Sequence, residues 1–173
     1  KHHHRVLDIC AAPGSKTEQL LTLMKADAPA SSDGVCTGMV VANDADPYRI
    51  NILKERYDRC RSPNLVLTCS KAEDLQSAMS AYMKARAEAE AEEEEEMRSR
   101  ARAIAEETLF DRIVADVPCS GDGTIRKFPH IYRLFRPRYS LDLHSVQLQI
   151  AKASVELLKH GGRMVYSTCS LNP

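Results

Sequence analysis

The 173-residue sequence lacks any apolar run that approaches the roughly 20 residues a helix needs to cross a bilayer. It also lacks a charged-then-apolar leader at its start. These absences favour a soluble protein of the nucleus or cytoplasm that has no membrane partner. A hydrophobic share of 43% is enough for one real core, so residues 1–173 are expected to form a single domain.

The cysteines lack the spacing of a metal site or of a disulfide scaffold, because no C-x-x-C pair occurs among them. The six are Cys10, Cys36, Cys60, Cys69, Cys119 and Cys169. A zinc site needs closely spaced ligands, and disulfide scaffolds are typical of short secreted chains. We therefore expect no metal, a reducing compartment, and four structural thiols at positions 10, 36, 60 and 69.

An overall excess of charge is also missing, since 24 basic residues balance 24 acidic ones. The charges are unevenly placed, however. Residues 84–107 are net acidic and include five consecutive glutamates, which leaves the remainder mildly basic. That balance permits a nucleic-acid partner without requiring one. The segment itself is expected to be a charged helical insertion, either a solvated spacer or a partner-binding arm.

Short apolar runs alternate with helical patterns along the chain. Strands are predicted at Arg5–Cys10, Gly38–Asn43, Leu65–Thr68, Arg112–Asp116 and Arg163–Ser167. Helices are predicted at Ser15–Lys25, Pro47–Arg59, Ala72–Glu107 and Leu141–His160, the last one capped by Gly161-Gly162. This order predicts an α/β fold with a doubly wound, mostly parallel, Rossmann-like sheet. Both ends are expected to be cut, with the fold truncated after the fifth strand.

The loop after the first strand indicates a site for a small cofactor. Residues 8–17 read DICAAPGSKT, and such small residues let a ligand approach the backbone where helix N–H groups favour an anion. Dinucleotide and P-loop glycine patterns are absent, so a methionine-type carboxylate fits better than a pyrophosphate. Asp44 ends the second strand, where an acid can bind ribose hydroxyls, and Asp46 and Arg49 follow it. The alternative is an aspartate that only caps a helix.

Two cysteines follow the fourth and fifth strands, which are neighbours in a sheet of order 3-2-1-4-5. Cys119 and Cys169 are therefore expected at the mouth of the site. Two thiols that face one substrate suit a reaction in which a covalent adduct forms and then breaks. Cytosine methylation at C5 is such a reaction, because a thiolate on C6 activates C5. Asp116 is placed to hold the N3/N4 edge of the base. Buried filler cysteines are the alternative.

A basic and aromatic stretch follows the Cys119 loop. Residues 126–139 read RKFPHIYRLFRPRY, with five Arg or Lys residues and four aromatic ones. Cations hold phosphates, while aromatic rings stack on unpaired bases. The stretch predicts an RNA contact, and a base in structured RNA would have to be flipped out to reach the thiols. The alternative is a loop whose aromatic side chains pack inward.

Three motifs in order, DICAAPGSKT, DVPCSGDGT and YSTCSLNP, resemble the Sun/Nop family of RNA cytosine-5 methyltransferases, closest to its eukaryotic tRNA-modifying branch. The resemblance implies a class I methyltransferase fold, S-adenosylmethionine as cofactor and tRNA as partner. It implies that Cys169 is the nucleophile and that Cys119 assists release of the product. It also implies the residues that contact the cofactor or line its pocket: Cys10, Ala11, Ala12, Pro13, Gly14, Ser15, Lys16, Asp44 and Asp116.

The resemblance is weaker after the third strand. Lys71 stands where the family has an aspartate, so Glu73 or Asp74 is expected to contact the adenine, with Asp74 preferred. Either acid can instead simply charge the first turn of a helix. The chain is expected to be a monomer. Two other functions remain open: binding of cofactor or RNA by a fragment without catalysis, and methyl transfer to another substrate.

Overall fold

The computed structural model describes residues 1–29, 36–58, 62–79, 81 and 109–171. Its strands are β1 (Arg5–Asp8), β2 (Met39–Asn43), β3 (Leu65–Thr68), β4 (Phe110–Asp116) and β5 (Leu158–Ser167). Its helices are α1 (Ser15–Ala26), α2 (Pro47–Asp58), α3 (residues 72–79), α4 (His130–Leu134) and α5 (Pro137–Glu156). A 3₁₀ turn covers Asp122–Thr124. The predicted insertion at 84–107 and Cys60 lie outside the described residues.

The five strands form one sheet of order β3-β2-β1-β4-β5, and every pairing in it is parallel. The predicted doubly wound architecture and strand order are confirmed. Both faces of the sheet are covered: Leu7 and Ile113 pack in one buried cluster, and Val6, Val40 and Leu53 pack in another. Burial on two faces explains why the strands read as continuous apolar runs. No helix within these ranges is long and apolar enough to cross a membrane.

The boundary between α5 and β5 differs from the prediction. The helix ends at Glu156 and the strand begins at Leu158, so Gly161-Gly162 lies inside β5 and caps no helix. The fully buried Leu157 accepts a hydrogen bond from the Phe110 N–H at 2.8 Å, which ties the chain to the sheet there. The pairing then shifts between Phe110 and Arg112, and Gly161 takes up a φ of 76° in the irregular part. Glycine permits that bulge, because other residues rarely adopt a positive φ.

Candidate active site

A cavity of about 470 Å³ opens at the carboxyl ends of the strands, which is a size typical of small-ligand sites. Loops that follow all five strands contribute to its wall, together with one side of α5. The lining residues are Ile9, Cys10, Ala12, Asn43, Asp44, Ala45, Arg49, Ser70, Lys71, Ala72, Glu73, Asp116, Val117, Pro118, Cys119, Val146, Gln149, Ile150 and Cys169. The parallel topology thus brings the three predicted motifs to one place.

Asp44 lies in the cavity wall and holds the first loop in position. Its carboxylate is 4% exposed and accepts hydrogen bonds from the Ala12 N–H at 3.2 Å and the Asp46 N–H at 3.1 Å. Arg49 pairs with the same carboxylate at 3.4 Å and donates to the Ala12 carbonyl at 2.5 Å. Asp44 and Arg49 therefore link the two loops that were predicted to bind the cofactor.

Two of the predicted acids lie elsewhere than the cavity wall. Asp46 is exposed, and its Oδ1 accepts the backbone N–H groups of Tyr48 and Arg49, which is the geometry of a helix N-cap. Asp74 is not among the residues that line the cavity, whereas its neighbour Glu73 is. Glu73 and Asp74 are successive residues of α3 and point in different directions, so only one of them faces the cavity. Cofactor contacts by Asp46 and Asp74 stay predictions.

The remaining residues of the first loop shape it from behind the cavity wall. Ala11 is buried, and Gly14 has a φ of 102° at the start of α1, just after Pro13 and before Ser15. A Cβ on Gly14 would lie 2.4 Å from Leu53 Cδ1, so the helix packing requires glycine here. Burial raises the pKa of Cys10 to about 12, which keeps this lining residue a neutral thiol.

Lys16 and Asp116 form an ion pair next to the thiols. Lys16 Nζ lies 2.6 Å from Asp116 Oδ2, and the Ser167 hydroxyl donates to Asp116 Oδ1 at 2.7 Å. Lys16 was predicted to contact the cofactor, but in this structure it contacts the acid at the end of β4. Its cation neutralises Asp116, and together with Ser167 it fixes the carboxylate in one orientation.

Cys119 and Cys169 meet at the mouth of the cavity. Their Sγ atoms are 2.8 Å apart, and the Cys169 N–H donates to Cys119 Sγ at 3.3 Å. Desolvation opposes ionisation of Cys119, but hydrogen bonds from Cys169, Thr168 and the backbone outweigh it and hold its pKa below the usual value. Desolvation, and then the hydrogen bond to Cys119 and its charge, raise the pKa of Cys169 to about 11. These hydrogen bonds therefore favour the thiolate form of Cys119, and the Cys169 sulfur lies within hydrogen-bond distance of it.

Asn43 connects three of the loops, which sequence reasoning missed. Its amide group donates to the Ile9 and Ser70 carbonyls at 3.1 and 2.9 Å, and its oxygen accepts from the Thr68 hydroxyl at 2.9 Å. The residue is 1% exposed, so each of these bonds is made inside the protein. A polar side chain at the end of a buried strand was the available signal, because buried amides must be hydrogen-bonded.

Asp8 is a second residue that sequence reasoning left without a role. It is fully buried, and it accepts a hydrogen bond from the Thr17 hydroxyl at 2.7 Å. Its Oδ1 atom has no partner among the described residues. Burial raises the pKa of Asp8 from 3.8 to about 6, against the opposing effects of Thr17 and the Lys16 charge.

The substitution Asp8→Asn tests this buried charge. The native state holds the Asp8 proton up to a pH of about 6, whereas the unfolded chain releases it near 3.8. Stability from this group is therefore present below pH 3.8 and is lost as pH rises toward 6. We expect the free energy of unfolding of D8N, relative to wild type, to rise by about 1.4 kcal/mol per pH unit across that window. Urea titrations at several pH values measure it, and a constant difference would contradict the assignment.

The basic and aromatic stretch at 126–139 folds around α4, on the chain segment that follows the Cys119 loop. Tyr132 and Tyr139 are 76% and 56% exposed, and Phe128 is also exposed. Lys127 Nζ lies 5.3 Å from the centre of the Phe128 ring. These aromatic side chains do not pack inward, so rings and cations share one surface. Within the described ranges, no group of three or more His, Cys, Asp or Glu residues is arranged to hold a metal ion.

The fold and this site define a Rossmann-like methyltransferase. The solved structure of a methyltransferase homolog protein from Pyrococcus horikoshii matches with a TM-score of 0.64 and 26% identity, over 99% of this chain and 41% of that chain. The chain belongs to the family described as 16S rRNA methyltransferase RsmB/F, whose model matches residues 1–173. The Sun/Nop resemblance predicted from three motifs is thereby confirmed.

Two curated relatives are similar along the whole chain. The chain is 41% identical to the multisite-specific tRNA:(cytosine-C(5))-methyltransferase trm4b of Schizosaccharomyces pombe, over 99% of this chain and 24% of that protein. It is 40% identical to the multisite-specific tRNA:(cytosine-C(5))-methyltransferase of Saccharomyces cerevisiae, over 100% of this chain and 22% of that protein. The chain therefore spans about a quarter of the length of these relatives.

Proposed function

We propose that this chain is the catalytic core of an RNA cytosine-5 methyltransferase that uses S-adenosylmethionine and acts on tRNA. One observation carries the proposal: the thiols of Cys119 and Cys169 meet 2.8 Å apart at the mouth of a cofactor-sized cavity, beside Asp116. A methyltransferase that acts on oxygen or nitrogen has no need of two facing thiols. A covalent adduct that must form and then break gives the two thiols separate roles, attack and assisted release.

The residues around the cavity fit S-adenosylmethionine. The first loop offers small side chains, and its Ala12 lies in the cavity wall beside the buried carboxylate of Asp44. That acid would hold the ribose hydroxyls, and Glu73 would lie toward the adenine, since Ser70, Lys71 and Glu73 line the same wall. When bound, the cofactor supplies an electrophilic methyl group. The residues of this chain must therefore make C5 of the base nucleophilic.

Cys169 would do this by adding to C6 of cytosine. The new S–C6 bond saturates the 5,6 double bond, and the electron pair becomes available at C5 for bonding to the methyl group. The C5 proton then passes to water at the exposed mouth, the double bond re-forms and the S–C6 bond breaks. The net change replaces the C5 hydrogen by a methyl group and leaves both cysteines unchanged, so the product is 5-methylcytosine.

Cys119 would carry the proton of Cys169 during this cycle. The Cys119 thiolate lies within hydrogen-bond reach of the Cys169 thiol, so it accepts that proton as Cys169 adds to C6. It returns the proton when the S–C6 bond breaks, which prevents the leaving sulfur from adding again. This exchange accounts for the two implied roles, attack by Cys169 and assisted release by Cys119.

The RNA partner is supported by the surface around α4. Exposed Tyr132 and Tyr139 offer planar faces for unpaired bases, and the neighbouring arginine and lysine residues offer charge for phosphates. The yeast relatives support tRNA as the particular substrate. A nuclear or cytoplasmic location and a monomeric state are part of the same proposal. The free cysteines of the described ranges suit a reducing compartment, and their presence supports that location.

The proposal is tested with the full-length protein, methyl-labelled cofactor and two RNA substrates, a tRNA pool and a small-subunit rRNA fragment. We expect label at C5 of cytosine in tRNA and much less in the rRNA fragment. Label in the rRNA fragment alone would change the proposed substrate from tRNA to rRNA and leave the proposed reaction unchanged. Label in neither RNA, or at another atom, would contradict the proposal and favour a binding module or a different methyltransferase.

Asp44→Ala tests the cofactor assignment. Loss of a charged acceptor for ribose hydroxyls is expected to weaken binding of S-adenosylhomocysteine by about 10- to 100-fold, since such hydrogen bonds contribute roughly 1.5–3 kcal/mol. Calorimetric titration measures the change. The comparison variant is Asp46→Ala, which removes the cap of α2 and leaves the cavity wall intact, so its affinity should change far less. Equal losses of affinity in both variants would trace the effect to disordered loops and would contradict a contact between Asp44 and the ribose.

A further inference from the structure

The loops that carry the two cysteines are fastened to each other by Asp122. This side chain is 7% exposed and accepts the Ser120 hydroxyl at Oδ1, 2.5 Å away, and the Leu171 N–H at Oδ2, 2.8 Å away. Ser120 follows Cys119 directly, and Leu171 lies two residues beyond Cys169. One carboxylate therefore joins the segment after β4 to the segment after β5. Asp122 is not among the residues that line the cavity.

The backbone makes the same connection beside Asp122. The Gly123 N–H donates to the Cys169 carbonyl at 2.8 Å, and a Cβ on Gly123 would lie 2.6 Å from that oxygen. The hydroxyls of Ser120 and Ser170 are 3.1 Å apart. The two loops thus touch at three points within a few residues of the sulfur atoms. From the other side, Gln147 of α5 donates to the Pro118 carbonyl at 2.8 Å and fixes the start of the Cys119 loop.

We propose that Asp122 is a positioning residue that sets the separation of the Cys119 and Cys169 sulfur atoms and so allows the proton exchange between them. The inference rests on the proposed function for its catalytic meaning, but the positioning itself can be measured without methyl transfer. A carboxylate suits the task because it is only an acceptor and both of its partners are donors.

The charge state of Asp122 supports this assignment. The hydrogen bond from Ser120 is the largest influence and, against the opposing effect of burial, lowers the pKa of Asp122 to about 2. The group is therefore ionised throughout the pH range in which a thiolate chemistry operates. Both hydrogen bonds are charge-assisted there, which makes them stronger and more restrictive in geometry than bonds between neutral groups.

The experiment measures how fast Cys119 and Cys169 form a disulfide in the full-length protein treated with diamide, which takes up the two thiol hydrogens as the S–S bond forms. Peptide mapping by mass spectrometry follows the 119–169 link. In Asp122→Ala we expect the rate to fall about tenfold or more, because a misplacement of about 1 Å can cost about 10²-fold in an intramolecular reaction. Under turnover, kcat should fall while KM for RNA stays unchanged.

Three further variants separate positioning from general loss of stability. Asp122→Asn keeps both hydrogen bonds without their charge, because its oxygen can accept from Leu171 while its NH₂ group donates to the Ser120 hydroxyl. Its rate should therefore lie between those of wild type and Asp122→Ala. Asp111→Ala removes a comparable carboxylate, which accepts the Arg5 N–H at 2.8 Å at the opposite end of β4, and should leave the rate unchanged. Ser120→Ala removes the bond to Asp122 Oδ1 and the contacts of the same hydroxyl with Ser170 and Ser140, but keeps the Asp122–Leu171 bond. It should slow the reaction partly, even where Asp122→Ala fails to fold.

An unchanged disulfide rate in Asp122→Ala or in Ser120→Ala would overturn the inference. Equal slowing in Asp111→Ala would overturn it as well, since that result would trace the effect to stability alone. The failure of the proposed function has a different signature. Wild-type protein would then transfer no methyl group to RNA, while the disulfide rates would still rank wild type and D122N above D122A.

Discussion

Replacement of Cys169 by alanine is expected to abolish methyl transfer to RNA, with a loss of about 10⁴-fold or more, the scale seen when a covalent nucleophile is removed. Without this sulfur, no S–C6 bond forms and C5 of cytosine stays a poor nucleophile. Single-turnover transfer from labelled cofactor to tRNA measures the loss. No covalent RNA–protein band should appear.

Replacement of Cys119 by alanine is expected to have the opposite signature, an accumulated covalent RNA adduct. The hydrogen bond to Cys119 and its charge contribute to the raised pKa of Cys169, so their removal makes the remaining thiol easier to ionise. The attack on C6 can therefore proceed. Release then fails, because no neighbouring acid returns a proton to the departing sulfur. A denaturing gel with labelled tRNA should show a shifted band that persists.

The matched control for both cysteine variants is Cys36→Ala. Cys36 is also a free thiol and is half-buried like Cys119, but it donates to the His2 carbonyl at 2.9 Å at the opposite end of the sheet. Its removal should leave turnover and adduct level unchanged. Normal turnover in both Cys169→Ala and Cys119→Ala would contradict the covalent mechanism. A trapped adduct in Cys169→Ala, with none in Cys119→Ala, would make Cys119 the nucleophile and Cys169 the residue that assists release. That result would agree with the lower pKa of Cys119.

The architecture was predictable from the sequence because its signals are local. Apolar runs buried on both faces identify the strands, and the β3 prediction, Leu65–Thr68, matches the observed strand at both ends. The alternation of strands and helices then leaves few possible topologies, because a helix between two strands forms the crossover that parallel strands need. The convergence of Cys119 and Cys169 followed from this topology alone, since parallel strands end at one edge.

The end of α5 was not predictable from the local pattern. Apolar residues continue at a helical period through Leu158, and Gly161-Gly162 looks like a helix cap. The observed end is earlier because Phe110 and Leu157, nearly fifty residues apart in sequence, form a backbone hydrogen bond that begins the strand pairing. A glycine pair suits a strand bulge as well as a helix cap, and a tertiary pairing decided between them.

The site was predictable as a set of loops, but its side-chain partners were not. Lys16 stands in the cofactor motif, yet it pairs with Asp116 one hundred residues later. Asp46 and Asp74 were plausible ligands in sequence. Asp46 caps α2, however, and the position of Asp74 depends on which way successive residues of α3 point. Asp8 and Asp122 stand inside two of the three quoted motifs, but sequence reasoning assigned neither of them a role. Their importance appears only from burial and from partners that the fold brings close.

Asp116→Asn is expected to lower the single-turnover rate of methyl transfer by about 10²- to 10³-fold, the usual scale for a group that stabilises developing charge. As electrons move toward the N3/N4 edge of cytosine, a carboxylate accepts hydrogen bonds from N4 and from a protonated N3. The amide presents a donor to the same edge and carries no charge. The hydrogen bond from Ser167 and the packing of the loop persist, so RNA binding and the melting temperature should change little.

Two comparisons locate the origin of that loss. Asp111→Asn makes the same chemical change on the same strand, beside Lys159 at 3.3 Å, and should leave the rate unchanged. Lys16→Ala removes the cation 2.6 Å from Asp116. We expect the single-turnover rate to fall only about tenfold, because Ser167 still orients the carboxylate. The double variant should be no slower than Asp116→Asn alone, since Lys16 would act through Asp116. Fully additive losses would instead give Lys16 a separate contact with the substrate or the cofactor.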